Sequence, residues 1–192
     1  MTPATTTYPV EGLVTERTVL RAVRDDYASE LQKYHTVNRM HLQPWEPSRP
    51  EGFFELDAIA DRLRAMAHQT AIGTALHLVL FEREGGHLIG DCNFTNIVRG
   101  PFQACHLGFS VATMFEGKGL MREGLTAAIE HVFSGLRLHR IMANYRPENA
   151  RSGHLLARLG FEKEGVARSY LKINGSWADH VLTSLVNPDD LE

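Results

Sequence analysis

The stretch Ser110-Val111-Ala112-Thr113-Met114-Phe115-Glu116-Gly117-Lys118-Gly119-Leu120-Met121 carries the clearest chemical signal in this sequence. A strand-like run ends, two glycines follow one residue apart, and a run with helical apolar spacing begins. Glycine permits left-handed backbone and close approach, and the first N–H groups of a helix lack intrahelical acceptors, so such a loop can cradle an anion. Lys118 and Arg122 would add positive charge. The loop is not a Walker A loop, since no Gly-Lys-Ser/Thr follows a four-residue spacer, and it lacks the third glycine of the dinucleotide fingerprint. A glycine turn into an ordinary core helix has the same spacing, so both readings stand at this point.

Other residues could move protons or hold an acceptor. If the hairpin around Arg99-Gly100-Pro101 is centred between Val98 and Arg99, Asp91 lies opposite His106 and would orient it as a general base; a structural histidine is the alternative. Asn149 and Ser152 sit where a helix should begin, and either can cap it. Tyr170 is a further proton donor, or a strand side chain lining a groove. Trp45, in Gln43-Pro44-Trp45-Glu46-Pro47, could floor an acceptor site or pack in a core; Glu46 and Asn93 are the other expected acceptor-side residues. Glu46, Glu51 and Glu55 would form an acidic rim suited to a cation. Cys92 and Cys105 read as buried core thiols. Ten histidines raise the question of a metal, but no His-Glu-x-x-His and no Cys/His cluster occurs, so none is expected.

The elements that must position these residues follow from periodicity. Residues 13–23 alternate as one strand, and Asp25 and Asp26 can cap a helix through Tyr27, Leu31 and Tyr34. The prolines at 44 and 47 must end it, and Phe54, Ile59, Leu63 and Met66 recur at helical spacing over 53–68. Residues 75–83, 87–98 and 105–112 read as strands, the first two joined by Gly85-Gly86. A helix is predicted over 120–133, a strand over 141–145 and a helix over 149–159 closed by Gly160. Strands at 161–173 and 179–186 flank the turn Asn174-Gly175. This order predicts a mixed α/β sandwich.

Composition narrows the classes. With 192 residues, 43% hydrophobic and 22% charged, the chain is globular, of a size for one domain spanning 1–192 with a loose start over 1–10. No apolar run reaches the roughly 20 residues that span a bilayer, no secretory signal is visible, and two cysteines make no scaffold; a cytoplasmic protein without membrane attachment is expected. A net charge of −3 argues against direct DNA binding.

Taken together, these segments resemble the GCN5-related N-acetyltransferase (GNAT) superfamily. Glu116-Gly117-Lys118-Gly119-Leu120-Met121 is similar to its pyrophosphate loop, departing at both ends. Leu13-Val14-Thr15-Glu16-Arg17-Thr18-Val19-Leu20-Arg21, Pro44-Trp45-Glu46-Pro47, His139-Arg140-Ile141-Met142-Ala143-Asn144-Tyr145 and the run from Arg151 to Gly165 resemble the ribosomal-protein-alanine N-acetyltransferase group, RimJ branch. The resemblance implies a mostly antiparallel sheet, splayed centrally around acetyl-CoA, with helices on both faces. It assigns the cosubstrate to Phe109, Ser110, Val111, Glu116, Gly117, Lys118, Gly119, Leu120, Met121, Arg122, Asn149 and Ser152, with Ser152 beside the sulfur. It implies direct attack by a primary amine, without an acyl-enzyme. The position where many members carry a tyrosine acid holds Leu156, and where some carry a glutamate base, Leu171. The expected acceptor is the N terminus of an alanine-starting ribosomal protein, met before assembly. A small amine such as an antibiotic or polyamine, or a non-catalytic acyl-CoA-binding module, is the alternative. The working form is expected to be a monomer or homodimer.

Overall fold

The computed structural model describes residues 8–9 and 11–190. Eight strands form one sheet in the order β1-β2-β3-β4-β5-β6-β8-β7. They are β1 (Leu13–Val14), β2 (Thr18–Ala22), β3 (Leu76–Glu82), β4 (Leu88–Val98), β5 (Ala104–Val111), β6 (Arg140–Tyr145), β7 (Glu162–Ile173) and β8 (Ser176–Val186). The helices are α1 (Ala28–Leu42), α2 (Leu56–Ala71), α3 (Leu120–Ser134) and α4 (Ala150–Arg158).

The strands alternate their side chains between two cores, as a period of two requires. Leu76, Leu78 and Leu80 enter one core with Leu125, Ala128 and Val132 of α3 and Leu156 of α4. Val79 and Phe81 enter the other with Leu31 and Tyr34 of α1 and Ile59 and Leu63 of α2. Each large apolar side chain so buried contributes about 1.5–3 kcal/mol. The helices therefore lie on both faces, and Cys92 and Cys105 are packed inside, 1% and 0% exposed.

All neighbours in the sheet are antiparallel except β5 and β6, which pair in parallel only at Ala104↔Arg140, Cys105↔Ile141 and His106↔Met142. Beyond that point β5 runs on to Val111 and β6 to Tyr145 without pairing to each other. This is the splay on which the site is built.

Four local expectations are corrected. Residues 13–23 are two strands, because Thr15 bonds Thr18 through backbone and hydroxyl and turns the chain between them. Asp25 and Asp26 cap nothing: they lie in a 3-10 turn before α1, and Asp26 pairs with Arg24. The last strand begins at Ser176 rather than 179, directly after the two-residue turn. The β4–β5 hairpin is centred on Gly100 and Pro101, since Asp91 pairs with Ser110 and Thr95 with His106; a bulge between Thr95 and Val98 accompanies the shift. Of the loose start expected over 1–10, residues 1–7 and 10 lie outside the described residues; Tyr8 donates its hydroxyl to the Leu20 carbonyl at 2.9 Å.

Candidate active site

The glycine loop lies between β5 and α3. Gly117 and Gly119 hold φ of 71° and 79°, the left-handed region that a side chain would strain. A Cβ on Gly117 would meet nothing within 4 Å, so its backbone faces open space. The first helical bond of α3 runs from the Glu123 N–H to the Gly119 carbonyl at 3.0 Å. The N–H groups of residues 117–122 find no acceptor among the described residues, leaving a crown of donors at the positive end of a 15-residue helix. Arg17 braces the loop from the β1–β2 turn: its Nη1 donates to the Lys118 carbonyl at 3.0 Å and its Nη2 pairs with Glu123 at 2.7 Å. Nothing in the isolated sequence singles out Arg17 for this, beyond its place in the opening segment. Lys118 stacks its ammonium 4.9 Å over Phe115, and Arg122 is exposed. Glu116 is paired with Arg151 of α4, and His41 Nε2 of α1 lies 3.3 Å from its carboxylate.

Across the splay, β6 leads into α4. Asn149 caps that helix, accepting the Ser152 N–H at 3.2 Å. The cap engages the backbone of Ser152 only; its hydroxyl has no protein partner among the described residues. Gly153 lets α4 close over Tyr145, whose ring a Cβ there would approach to 2.8 Å. Tyr170 reaches over β8, its hydroxyl accepting from Asn144 Nδ2 at 3.2 Å, beside a β7 bulge.

On the α1/α2 face the sheet bounds a cavity of about 390 Å³. Trp45, Glu46 and Asn93 line it, as do Gly108, Phe109 and Ser110 from the unpaired stretch of β5. The β7–β8 turn holds the Trp45–Glu46 segment, since the Asn174 N–H donates to the Glu46 carbonyl at 2.9 Å. Arg146 reaches the same segment, donating to the Pro44 carbonyl at 2.9 Å and lying 5.8 Å over Trp45. Burial raises the Glu46 carboxyl above its usual range, against the opposing pull of Arg49 at 3.7 Å. The acidic rim is corrected: Glu51 turns away to Arg39, Glu55 is exposed and does not line the cavity, and the second carboxylate there is Asp91. Arg49 and Arg62 lie 4.5 and 3.8 Å over Phe53, and burial with those two cations lowers His35 to about 4, a neutral imidazole.

The coupling of Asp91 to His106 is also corrected. Asp91 Oδ1 instead accepts from Ser110 Oγ at 2.8 Å, and Ser110 Oγ lies 2.8 Å from the Tyr34 hydroxyl. His106, level with Thr95 and Met142, has a buried Nδ1 without a partner among the described residues, and burial lowers its pKa. Asp91 and the two arginines in the cavity, and Tyr34 behind Ser110, are the residues whose role is not legible from sequence. The only signal is that Asp91 and Asn93 alternate with apolar Cys92 and Phe94, marking a polar-facing side of a buried strand.

A splayed sheet with a donor loop at the head of the helix after its central strand defines an acetyltransferase class of site. The chain belongs to the acetyltransferase (GNAT) family, whose model matches residues 17–162. Among curated proteins it is similar to the [ribosomal protein uS5]-alanine N-acetyltransferase of Escherichia coli, 49% identical over 94% of this chain and 93% of the relative. Among solved structures it is similar to the ribosomal-protein-S5-alanine acetyltransferase of Vibrio fischeri, with a TM-score of 0.87 and 39% identity over 92% of this chain and 96% of that one. It is also similar to Mycobacterium smegmatis RimJ in complex with CoA-disulfide, with a TM-score of 0.85 and 28% identity, covering 91% and 84% of the two chains. Among the described residues no helix is long and apolar enough to cross a membrane, and no three His, Cys, Asp or Glu side chains converge as metal ligands.

Proposed function

We propose that this protein transfers an acetyl group from acetyl-CoA to the α-amino group of a ribosomal protein beginning with alanine. The carrying observation is the splay of β5 from β6 after His106↔Met142, with the donor loop at its mouth and the 390 Å³ cavity against its free strand. The 49% identical relative supports the acceptor assignment. In this reading the whole chain works as one cytoplasmic domain, as a monomer or homodimer.

The residues present fit acetyl-CoA. The open backbone at Gly117 and the unsatisfied N–H groups of 117–122 suit a pyrophosphate, and the pairing of Glu116 with Arg151 removes an obstacle to its charge. When bound, acetyl-CoA supplies a thioester carbonyl, an activated acyl group. The stretch Phe109–Val111 would hold it through backbone, Asn149 would steady its arm, and the free hydroxyl of Ser152 would donate toward the sulfur. Trp45, Glu46 and Asn93 would receive the acceptor, with Tyr170 as a further donor bordering the cleft. His106, the candidate base, stands at the last paired position of β5 and β6, where burial lowers its pKa. An α-amine of pKa about 7.7–8.0 is neutral in roughly one molecule in seven at pH 7, against about one in 2,500 for lysine, which favours N termini.

Acetyl-CoA turnover with an alanine-starting ribosomal peptide, followed as free thiol, tests this against a panel of small amines. Turnover selective for the peptide is expected. Binding of CoA with no transfer to any amine would remove the enzymatic reading, and transfer to the small amines alone would replace the acceptor.

A further inference from the structure

The cavity contains a carboxylate that no ion pair explains. Asp91 is half-buried, faces the cavity, and forms no salt bridge among the described residues. Its Oδ1 is held by the Ser110 hydroxyl at 2.8 Å, itself 2.8 Å from the hydroxyl of Tyr34, which is 4% exposed and packed in the α1/α2 core. Ser110 belongs to the part of β5 that has left β6, so this carboxylate adjoins the splay where acyl transfer would occur. We infer that Asp91 is the proton acceptor for the α-ammonium group of the acceptor, with Ser110 and Tyr34 as its positioning residues. The inference rests on the proposed function and names the base that reading leaves open.

The chemistry balances within the cavity. An N–H bond of the ammonium breaks, its proton passes to the Asp91 carboxylate, and the nitrogen keeps the electron pair as a neutral nucleophile. Burial raises Asp91 from its ordinary value to about 6, so it is ionised at neutral pH yet more basic than a surface carboxylate. The groups facing it are Tyr34 and His35 from α1, Glu46 and Arg49 from the segment after α1, Arg62 from α2, Asn93 from β4 and Ser110 from β5. Of these, His35 is neutral, and Glu46 has its own cation in Arg49. His106 does not line the cavity. Asp91 is thus the carboxylate there whose charge lacks a cation, the place an ammonium completes.

The test combines binding with kinetics. Calorimetry at pH 7 compares an alanine-starting peptide with the same peptide starting in propionyl, which lacks only the amine. Wild type should favour the free amine by about tenfold or more, the scale of a charge-assisted hydrogen bond, and Asp91→Asn should abolish that preference. In turnover, Asp91→Asn should lower kcat/KM about 100-fold at pH 7, and the deficit should shrink towards pH 9.5, where the α-amine is neutral unaided. Ser110→Ala and Tyr34→Phe, which keep the carboxylate, should lower kcat several-fold and displace the acid limb. An Asp91→Asn enzyme with wild-type preference and pH profile overturns the assignment, as does an acid limb removed by Glu46→Gln or His106→Gln instead. Wild type that acetylates no peptide overturns the proposed function itself, whereas active wild type matched by active Asp91→Asn overturns only Asp91.

Discussion

The two sides of the site are made of different material. The loop at residues 117–122 is built from backbone: two left-handed glycines and a row of N–H groups at one helix end, all within six consecutive residues. The cavity is built mostly from side chains gathered from α1, the segment after it, α2, β3, β4 and β5. A backbone site tolerates change in neighbouring side chains but not in its φ angles. A side-chain site has the opposite sensitivity, because its chemistry is in the groups themselves.

The largest expected effect breaks the backbone side. Gly119→Val places a β-branched residue at a φ of 79° and should weaken CoA binding on the order of 30–100-fold, while peptide affinity measured by calorimetry stays within about twofold. Next comes the cavity carboxylate read through stability. The pKa of Asp91 is raised on folding, so its stabilising contribution is complete below about pH 4 and is lost as pH rises through about 6. Asp91→Asn should therefore raise stability by about 1–3 kcal/mol at pH 8 and by nothing at pH 3.5, as denaturant titrations would report. A gain in stability with a loss of activity would mark a group kept for function.

A smaller pair of effects separates two roles at one helix start. Asn149→Ala removes the cap of α4 and should cost about 1 kcal/mol in thermal unfolding. Ser152→Ala leaves the capped N–H in place, so it should spare stability and lower kcat about tenfold in steady-state assays. The smallest effect returns to the loop. Lys118→Ala removes an exposed charge and should weaken CoA less than about fivefold, fading further in high salt. A larger loss would mean that the loop, too, depends on its side chains.

What was legible in the sequence followed the same division. Strands 75–83, 87–98 and 105–112, helix 120–133 and the Asn149 cap were readable because periodicity and capping are local. The turn chemistry around Thr15, the 3-10 start before α1 and the bulge after Thr95 were not, since each depends on hydrogen bonds that only packing selects. The place of the β4–β5 turn matters most: centred on Gly100 and Pro101, it sets Asp91 opposite Ser110 rather than His106, and with it the proton chemistry.

By itself the sequence determined the glycine loop, the two-faced sheet and the chain's resemblance to its family. Each is written in neighbouring residues or in a repeating period, so no distant contact is needed to specify it. Only the tertiary structure decided that β5 and β6 part after three pairs, that Glu116 meets Arg151 and His41, and that Asp91, Ser110 and Tyr34 meet beside the splay. Those arrangements join residues as far apart as positions 34 and 110, and a hairpin register is set by how both strands pack rather than by the turn alone.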